Sequence, residues 1–325
     1  MAKPVLTILT GNRDVTGLET LKELADVRLA ADAEELADAL PGTEIVYLWN
    51  YFADGLQQGW ESADALKWVH LPAAGVDRLL FPELAASDVT VTNARGIFDS
   101  AMAEYALAGV LYFAKNFPQA RANQAQNLWK HYGTSNLAGT RALVAGTGSI
   151  GRTTARLLRA VGITADGLGR TARDGDADFG AIHASGDFAA VAGNYDWIVL
   201  VAPLTDDTRG MLNAKVLAAM RTSAVLVNMG RGDLVVQPDL EAALAAGDIA
   251  GAVLDVTTPE PLPESSPLWG MQNVLITPHL SGDSRSHLPA MAAQFEANLR
   301  AYLDGAPLEN VVDKQLGFVA APAGR

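Results

Sequence analysis

The chain contains no cysteine, which excludes disulfides, cysteine metal sites and thiol chemistry. It is also short of positive charge. Against 37 Asp and Glu it carries 24 Lys and Arg, a formal net charge of −13. That balance excludes the dense basic surface non-specific nucleic-acid binding needs, while leaving room for a local positive site that holds a small anion. No apolar stretch is long enough to span a bilayer. The first apolar run, Val5–Leu9, is too short for the core of a secretory signal. The expectation is a cytoplasmic chain with no membrane, nucleic-acid or metal partner. No low-complexity run or exact repeat is present. With 325 residues and 49% hydrophobic content, there is material for two domains, each with a sizeable core.

Short apolar runs alternate with helical patterns. Val5–Leu9, Val27–Leu29, Glu44–Trp49, Trp68–Leu71 and Val89–Thr92 read as strands, with Leu18–Leu24, Glu34–Leu40 and Ser62–Leu66 as helical segments between them. Such alternation predicts a parallel sheet covered on both faces. A long apolar helix, Ser100–Lys115, is expected to bridge to a second series. That series has six strands: Ala142–Ala145, Ile163–Leu168, Trp197–Ala202, Ala224–Asn228, Ala252–Val256 and Val274–Thr277. Toward the end, Leu288, Met291, Phe295, Leu299 and Tyr302 recur at helical spacing, and this helix is expected to return to the first lobe. The fold class is therefore α/β: two Rossmann-like lobes with doubly wound parallel sheets and a cleft between them. Residues 1–98 plus 285–325 form one domain and 99–284 the other.

The second series opens with Gly146-Thr147-Gly148-Ser149-Ile150-Gly151, between a buried strand and a helix, Arg152 to Ala160. In that context Gly146 permits the tight turn, Gly148 lets a pyrophosphate approach the backbone, and Gly151 lets helix and strand pack closely. The helix N-terminus offers unpaired N–H groups to the phosphates. Three polar residues follow later strands of the same series: Arg231, Glu260 and His279. Ligands of doubly wound sheets bind beyond the carboxyl ends of strands, where these three could converge on a nicotinamide. Their chemistry suits carbonyl reduction. An imidazolium supplies a proton to the developing oxyanion, a carboxylate stabilises the imidazolium, and a guanidinium grips a substrate carboxylate.

These pieces resemble the D-isomer-specific 2-hydroxyacid dehydrogenase family, of the glyoxylate/hydroxypyruvate reductase kind. The resemblance runs through the glycine turn, Ala202-Pro203-Leu204-Thr205, Asn228 to Val235, Gly251 to Val256, Glu260-Pro261, Thr277-Pro278-His279 and Gly305 to Val312. It implies Arg231 as substrate anchor, His279 as acid/base, Glu260 as its partner, Ala202 and Pro203 at the cofactor, and Asp255 on the nicotinamide carboxamide. Formate dehydrogenases of this superfamily carry Gln at the position of Glu260, so the glutamate favours 2-keto acid reduction. Leu71 to Asp77 looks like the family loop whose backbone binds the substrate carboxylate, through Ala74 and Gly75. Trp49 either shapes the side-chain pocket or belongs to the core.

NAD-preferring Rossmann sites put a carboxylate on the ribose at the end of the second strand. Here that position is Gly169, followed by Arg170, Thr171 and Arg173, while Asp166 falls too early, within the strand. Arginines there suit a 2′-phosphate. The expected cofactor is NADP(H), with NAD(H) possible, and Asp174, Asp176 and Asp178 are expected to dilute the positive field. The resemblance implies reduction of a small 2-keto acid to the D-2-hydroxy acid by a homodimer. Two rivals share the pattern: an NAD-linked phosphoglycerate-type dehydrogenase and a dinucleotide-sensing corepressor-like binding protein.

Overall fold

The structure, a computed structural model, describes residues 3–50 and 55–320. It divides into two compact units, Met1–Phe98 with Ser284–Arg325, and Asp99–Asp283.

In the first unit β1 (Val5–Leu9), α1 (Leu18–Leu24), β2 (Asp26–Ala30), α2 (Ala33–Ala39), β3 (Ile45–Tyr47), α3 (Gly55–Gln58), β4 (Trp68–Leu71), α4 (Pro82–Ala86) and β5 (Thr90–Asn93) alternate. The strands form an all-parallel sheet in the order β2-β1-β3-β4-β5. Every residue of β3 and β4 is buried, the continuous run expected of strands covered on both faces. Leu36, Leu40, Val46 and Val69 pack on one side. On the other, the C-terminal helix His287–Leu303 lays Met291, Phe295 and Leu299 against Ile8, Tyr47 and Trp68. Tyr47 stacks on Phe295 with ring centroids 3.8 Å apart. Leu288, expected on that buried stripe, is exposed. The helix expected at Ser62–Leu66 is absent. A single tight turn, Trp60–Ser62, stands before it, and Asp64 turns its carboxylate to the amide of Gly42 (2.8 Å) instead.

The second unit begins with α5 (Asp99–Ala114) and α6 (Phe117–Ala125), and continues through β6 (Arg141–Ala145), α7 (Ser149–Ala160), β7 (Thr164–Gly169), β8 (Arg173–Asp174) and β9 (Ala181–Ala184). Then come α8 (Phe188–Val191), β10 (Trp197–Leu200), α9 (Ala214–Ala219), β11 (Val225–Asn228), α10 (Gln237–Ala246), β12 (Gly251–Leu254) and β13 (Val274–Ile276). The sheet order is β13-β12-β11-β10-β6-β7-β9-β8, parallel except for the β8–β9 pair at the edge. Eight strands thus stand where six were expected. The long helix expected as a bridge is rooted in this unit, where Ala106, Val110 and Ala114 enter a core with Val144, Ala155, Val199 and Val227.

The central strands end at one level. Leu200 pairs with both Ala145 and Asn228, Asn228 with Leu254, and Leu254 with Ile276. The loops that carry the candidate residues therefore leave a common edge. Among the described residues no helix is long and apolar enough to cross a membrane, and no group of His, Asp and Glu is arranged to hold a metal ion.

Candidate active site

The glycine turn leaves β6 at that edge. Gly146 has φ +117°, and a methyl there would sit 2.7 Å from the Ala202 amide nitrogen. At Gly151 a methyl would meet the Gly146 carbonyl oxygen at 1.8 Å, so only glycine lets α7 start this close to its strand. Gly148 caps α7, and no atom lies within 4 Å of where its side chain would be. Thr147, Ser149 and Ile150 complete the turn. The free amides of the helix's first turn and the open approach at Gly148 fit a pyrophosphate.

Beyond β12, Asp255 is 2% exposed. Its carboxylate accepts from the Thr277 hydroxyl (2.6 Å) and from the amides of Leu280 and Ser281 (both 2.9 Å), while its carbonyl accepts from the His279 amide (2.8 Å). The turn after β13 is thus wound around Asp255. Its centre, His279, has φ +53°. The His279 Nδ1–H donates to Glu260 Oε2 at 3.1 Å, the only sense possible with an ionised carboxylate. Glu260 is itself steadied by the Thr257 amide (3.2 Å). The imidazole side chain is 43% exposed and the glutamate's 23%, so Nε2 is the nitrogen left to meet a substrate.

Arg231 follows β11. Asn228, buried at the strand's end, accepts from the Gly230 amide (3.2 Å) and donates to the Arg231 carbonyl (3.0 Å). This side chain fixes the backbone that carries the arginine. Two residues on, Asp233 accepts from the Thr258 hydroxyl (2.8 Å), lacing the Arg231 loop to the Glu260 loop.

At the end of β7, Gly169 faces Thr147, whose hydroxyl would lie 3.1 Å from an added methyl. Asp166 is occupied inside the sheet by Arg141 (2.9 Å), the Tyr195 hydroxyl (2.9 Å) and the Ala181 amide (2.9 Å). Burial pushes its carboxyl up, but those hydrogen bonds outweigh it and hold the group below the usual carboxylate range. Arg170, Thr171 and Arg173 follow, exposed, with Arg173 in β8. Of the three acids expected to dilute their charge, Asp174 is exposed and the other two have partners already. Arg152 and Arg156 of α7 hold Asp176 and Asp178.

Other candidates divide between the units. Ala202 is buried beside the glycine turn, and Pro203 offers its carbonyl to the Thr208 hydroxyl (2.7 Å). In the first unit, the carbonyls of Ala73 and Ala74 accept from the Ala94 amide (3.0 Å) and Asn93 Nδ2 (2.6 Å), which sets the Ala74-Gly75 loop against the end of β5. Trp49 is a core residue, 2% exposed, with its indole N–H on the Asp14 carbonyl (3.0 Å). Sequence reasoning missed Asn228, Thr277 and Tyr105. Tyr105 on α5 donates to Thr277 (2.6 Å), which spends its own proton on Asp255. A polar residue ending an apolar strand is the signal that marks Asn228; Tyr105 lies 172 residues from its partner and carries none.

The family model for the D-isomer specific 2-hydroxyacid dehydrogenase NAD binding domain matches residues 107–281. A glyoxylate reductase/hydroxypyruvate reductase of Mus musculus is 33% identical over 247 residues, 74% of this chain and 75% of the relative. A D-isomer specific 2-hydroxyacid dehydrogenase of Xanthobacter autotrophicus Py2, solved with NADPH and MES, is similar at TM-score 0.84 and 30% identity. That match covers 98% of this chain and 100% of the other. An NADPH-dependent glyoxylate/hydroxypyruvate reductase of Sinorhizobium meliloti, solved with NADP and sulfate, gives TM-score 0.82 at 26% identity, over 97% of this chain and 100% of the other.

Proposed function

The chain belongs to the D-isomer-specific 2-hydroxyacid dehydrogenase family, and on that premise we propose that it reduces a small 2-keto acid of the glyoxylate and hydroxypyruvate kind to the D-2-hydroxy acid, preferring NADPH. The observation that carries this reading is the His279–Glu260 pair at 3.1 Å, on a turn wound around Asp255 at the sheet edge that also launches the glycine turn. NADPH binding is supported by the arginines after β7, by Gly169 where a carboxylate would repel a 2′-phosphate, and by the relatives solved with that nucleotide.

Gly146 to Gly151 would hold the pyrophosphate, Arg170, Thr171 and Arg173 the 2′-phosphate, and Ala202, Pro203 and Asp255 the nicotinamide. The bound nucleotide supplies the hydride. Arg231 grips the substrate carboxylate and so orients the carbonyl. His279 Nε2–H donates to the carbonyl oxygen as negative charge builds there, and Glu260 stabilises the imidazolium that does so. The exposed imidazole regains its proton from solvent. The working form is proposed to be a homodimer.

The test is a panel of 2-keto acids assayed with both reduced nucleotides. Glyoxylate and hydroxypyruvate should turn over, with kcat/KM higher for NADPH. Turnover of no 2-keto acid, with nucleotide still bound, would point to a sensor instead; a higher kcat/KM with NADH would end the NADPH assignment.

A further inference from the structure

Around the proposed 2′-phosphate arginine lies a charge network that the reading above does not use. Asp176, its side chain 6% exposed, accepts five hydrogen bonds. Arg152 grips it with both terminal nitrogens, Nη1 to Oδ1 (2.8 Å) and Nη2 to Oδ2 (3.0 Å). The amides of Asp178 (3.0 Å) and Phe179 (3.3 Å) donate to Oδ1. Arg173 Nη2 donates to Oδ2 at 2.6 Å. Arg152 also reaches Asp178 Oδ2 (2.9 Å), while Arg156 takes Asp178 Oδ1 (3.0 Å). The Arg152 guanidinium lies 5.5 Å from the centroid of the Phe179 ring, so its direction is fixed by packing as well as charge. The bidentate hold of Arg152, aided by the two amides, keeps the Asp176 carboxyl far below the usual carboxylate range despite burial.

The charges on this edge cancel in a definite way. Arg152 and Arg156 from α7 match Asp176 and Asp178 from the segment before β9; Arg173 is a third cation on the same pair of acids, pinned to Asp176 at one nitrogen, and its neighbour Asp174 is exposed. Without Arg152, Arg173 would become the counter-ion of Asp176 and lose its charge for any other anion. Resting on the NADPH reading, we propose that Arg152 and Asp176 form a specificity device: Arg152 neutralises Asp176, so that Asp176 aims Arg173 at a 2′-phosphate without consuming its charge. Arg152 acts through Asp176 and Arg173 and is a positioning residue.

The test measures Kd for NADPH and for NADH by nicotinamide fluorescence, which requires no substrate, in the wild-type protein and in Arg152→Gln, Asp176→Asn, the double variant and Arg173→Ala. Arg152→Gln should weaken NADPH by about tenfold, the scale of one charged hydrogen bond, and leave NADH within about twofold. Adding Asp176→Asn should return most of the lost NADPH affinity, because the anion that captured Arg173 is gone. A scaffold that merely folds the segment predicts the opposite, a double variant weaker than either single one, and that result would overturn the proposal. An unchanged NADPH-to-NADH ratio in Arg152→Gln would overturn it equally. Should Arg152→Gln not fold, Arg152→Lys, which keeps the charge but loses the fork, should still lower the ratio by about threefold; no change there sinks the idea. Arg173→Ala separates the two levels. If it leaves the ratio unchanged, the 2′-phosphate reading itself fails; if it lowers the ratio while Arg152→Gln does not, only the device fails.

Discussion

His279 sits at φ +53°, a backbone region that costs a histidine energy and persists only when its surroundings hold it there. Asp255 provides that hold with three carboxylate hydrogen bonds from the turn, and Tyr105 extends it through Thr277. The proposed proton donor is thereby fixed in backbone as well as side chain. His279→Ala should lower kcat by about 100-fold or more, the usual worth of a positioned acid, and leave the NADPH Kd nearly unchanged. Glu260→Gln, which keeps a hydrogen-bonding group but removes the charge, should lower kcat by about tenfold. Steady-state kinetics beside nucleotide titration separates these effects, and an unaltered kcat in His279→Ala removes the histidine from the mechanism. At this scale Arg231, Glu260 and His279 were legible as candidates because each lies in the loop that follows an apolar strand. The support from Asp255 and Tyr105 was not, because nothing local shows that an aspartate after β12 also gathers a turn more than twenty residues on.

Among the elements, β4 carries an unusual burden. His70 lies wholly buried opposite Tyr47 of β3, with Nδ1 on the Thr92 hydroxyl (2.8 Å) and no partner for Nε2 among the described residues. Burial pushes its pKa down to about 3. Unfolding releases it to take a proton near its ordinary value, so its stability contribution is complete above about pH 6.5 and is lost on acidification, at about 1.4 kcal/mol per pH unit until the folded value is reached. Urea unfolding of the first unit, followed at pH 7, 6 and 5, should show this slope, and His70→Leu should flatten it. An identical slope in the variant would place the acid sensitivity elsewhere. Most strands were readable as apolar runs between turn residues. The exceptions have physical causes. β8 has two residues and β9 four, too few to show a period, and both exist because Asp166, Asp176 and Arg152 fold the segment back onto the sheet. The helix expected at Ser62–Leu66 lost to the bond between Asp64 and Gly42, a contact between residues 22 apart.

For the whole molecule, the proposed homodimer has a physical candidate for its contact. Trp129 is fully exposed, with its neighbour Leu128 and Phe117 at the start of α6 each about half exposed, an arrangement that leaves large apolar side chains to water unless another surface covers them. Light scattering at micromolar concentration should give twice the chain mass, and Trp129→Ser should lower it toward one chain; a monomeric wild-type protein would dispose of the proposal. Periodicity and short motifs alone determined that the chain is α/β, that a glycine-rich turn joins strand to helix at Gly146–Gly151, and that an arginine, a glutamate and a histidine follow successive strands, since each of these is written in neighbouring residues. Only the folded chain decided that Trp49 belongs to the core, that Asp255 winds the histidine's turn, and that Asp176 and Asp178 near Arg173 are already matched by α7. Those outcomes depend on which distant groups meet once the sheet forms, because a buried charge or polar atom takes whatever partner the packing brings within hydrogen-bond reach.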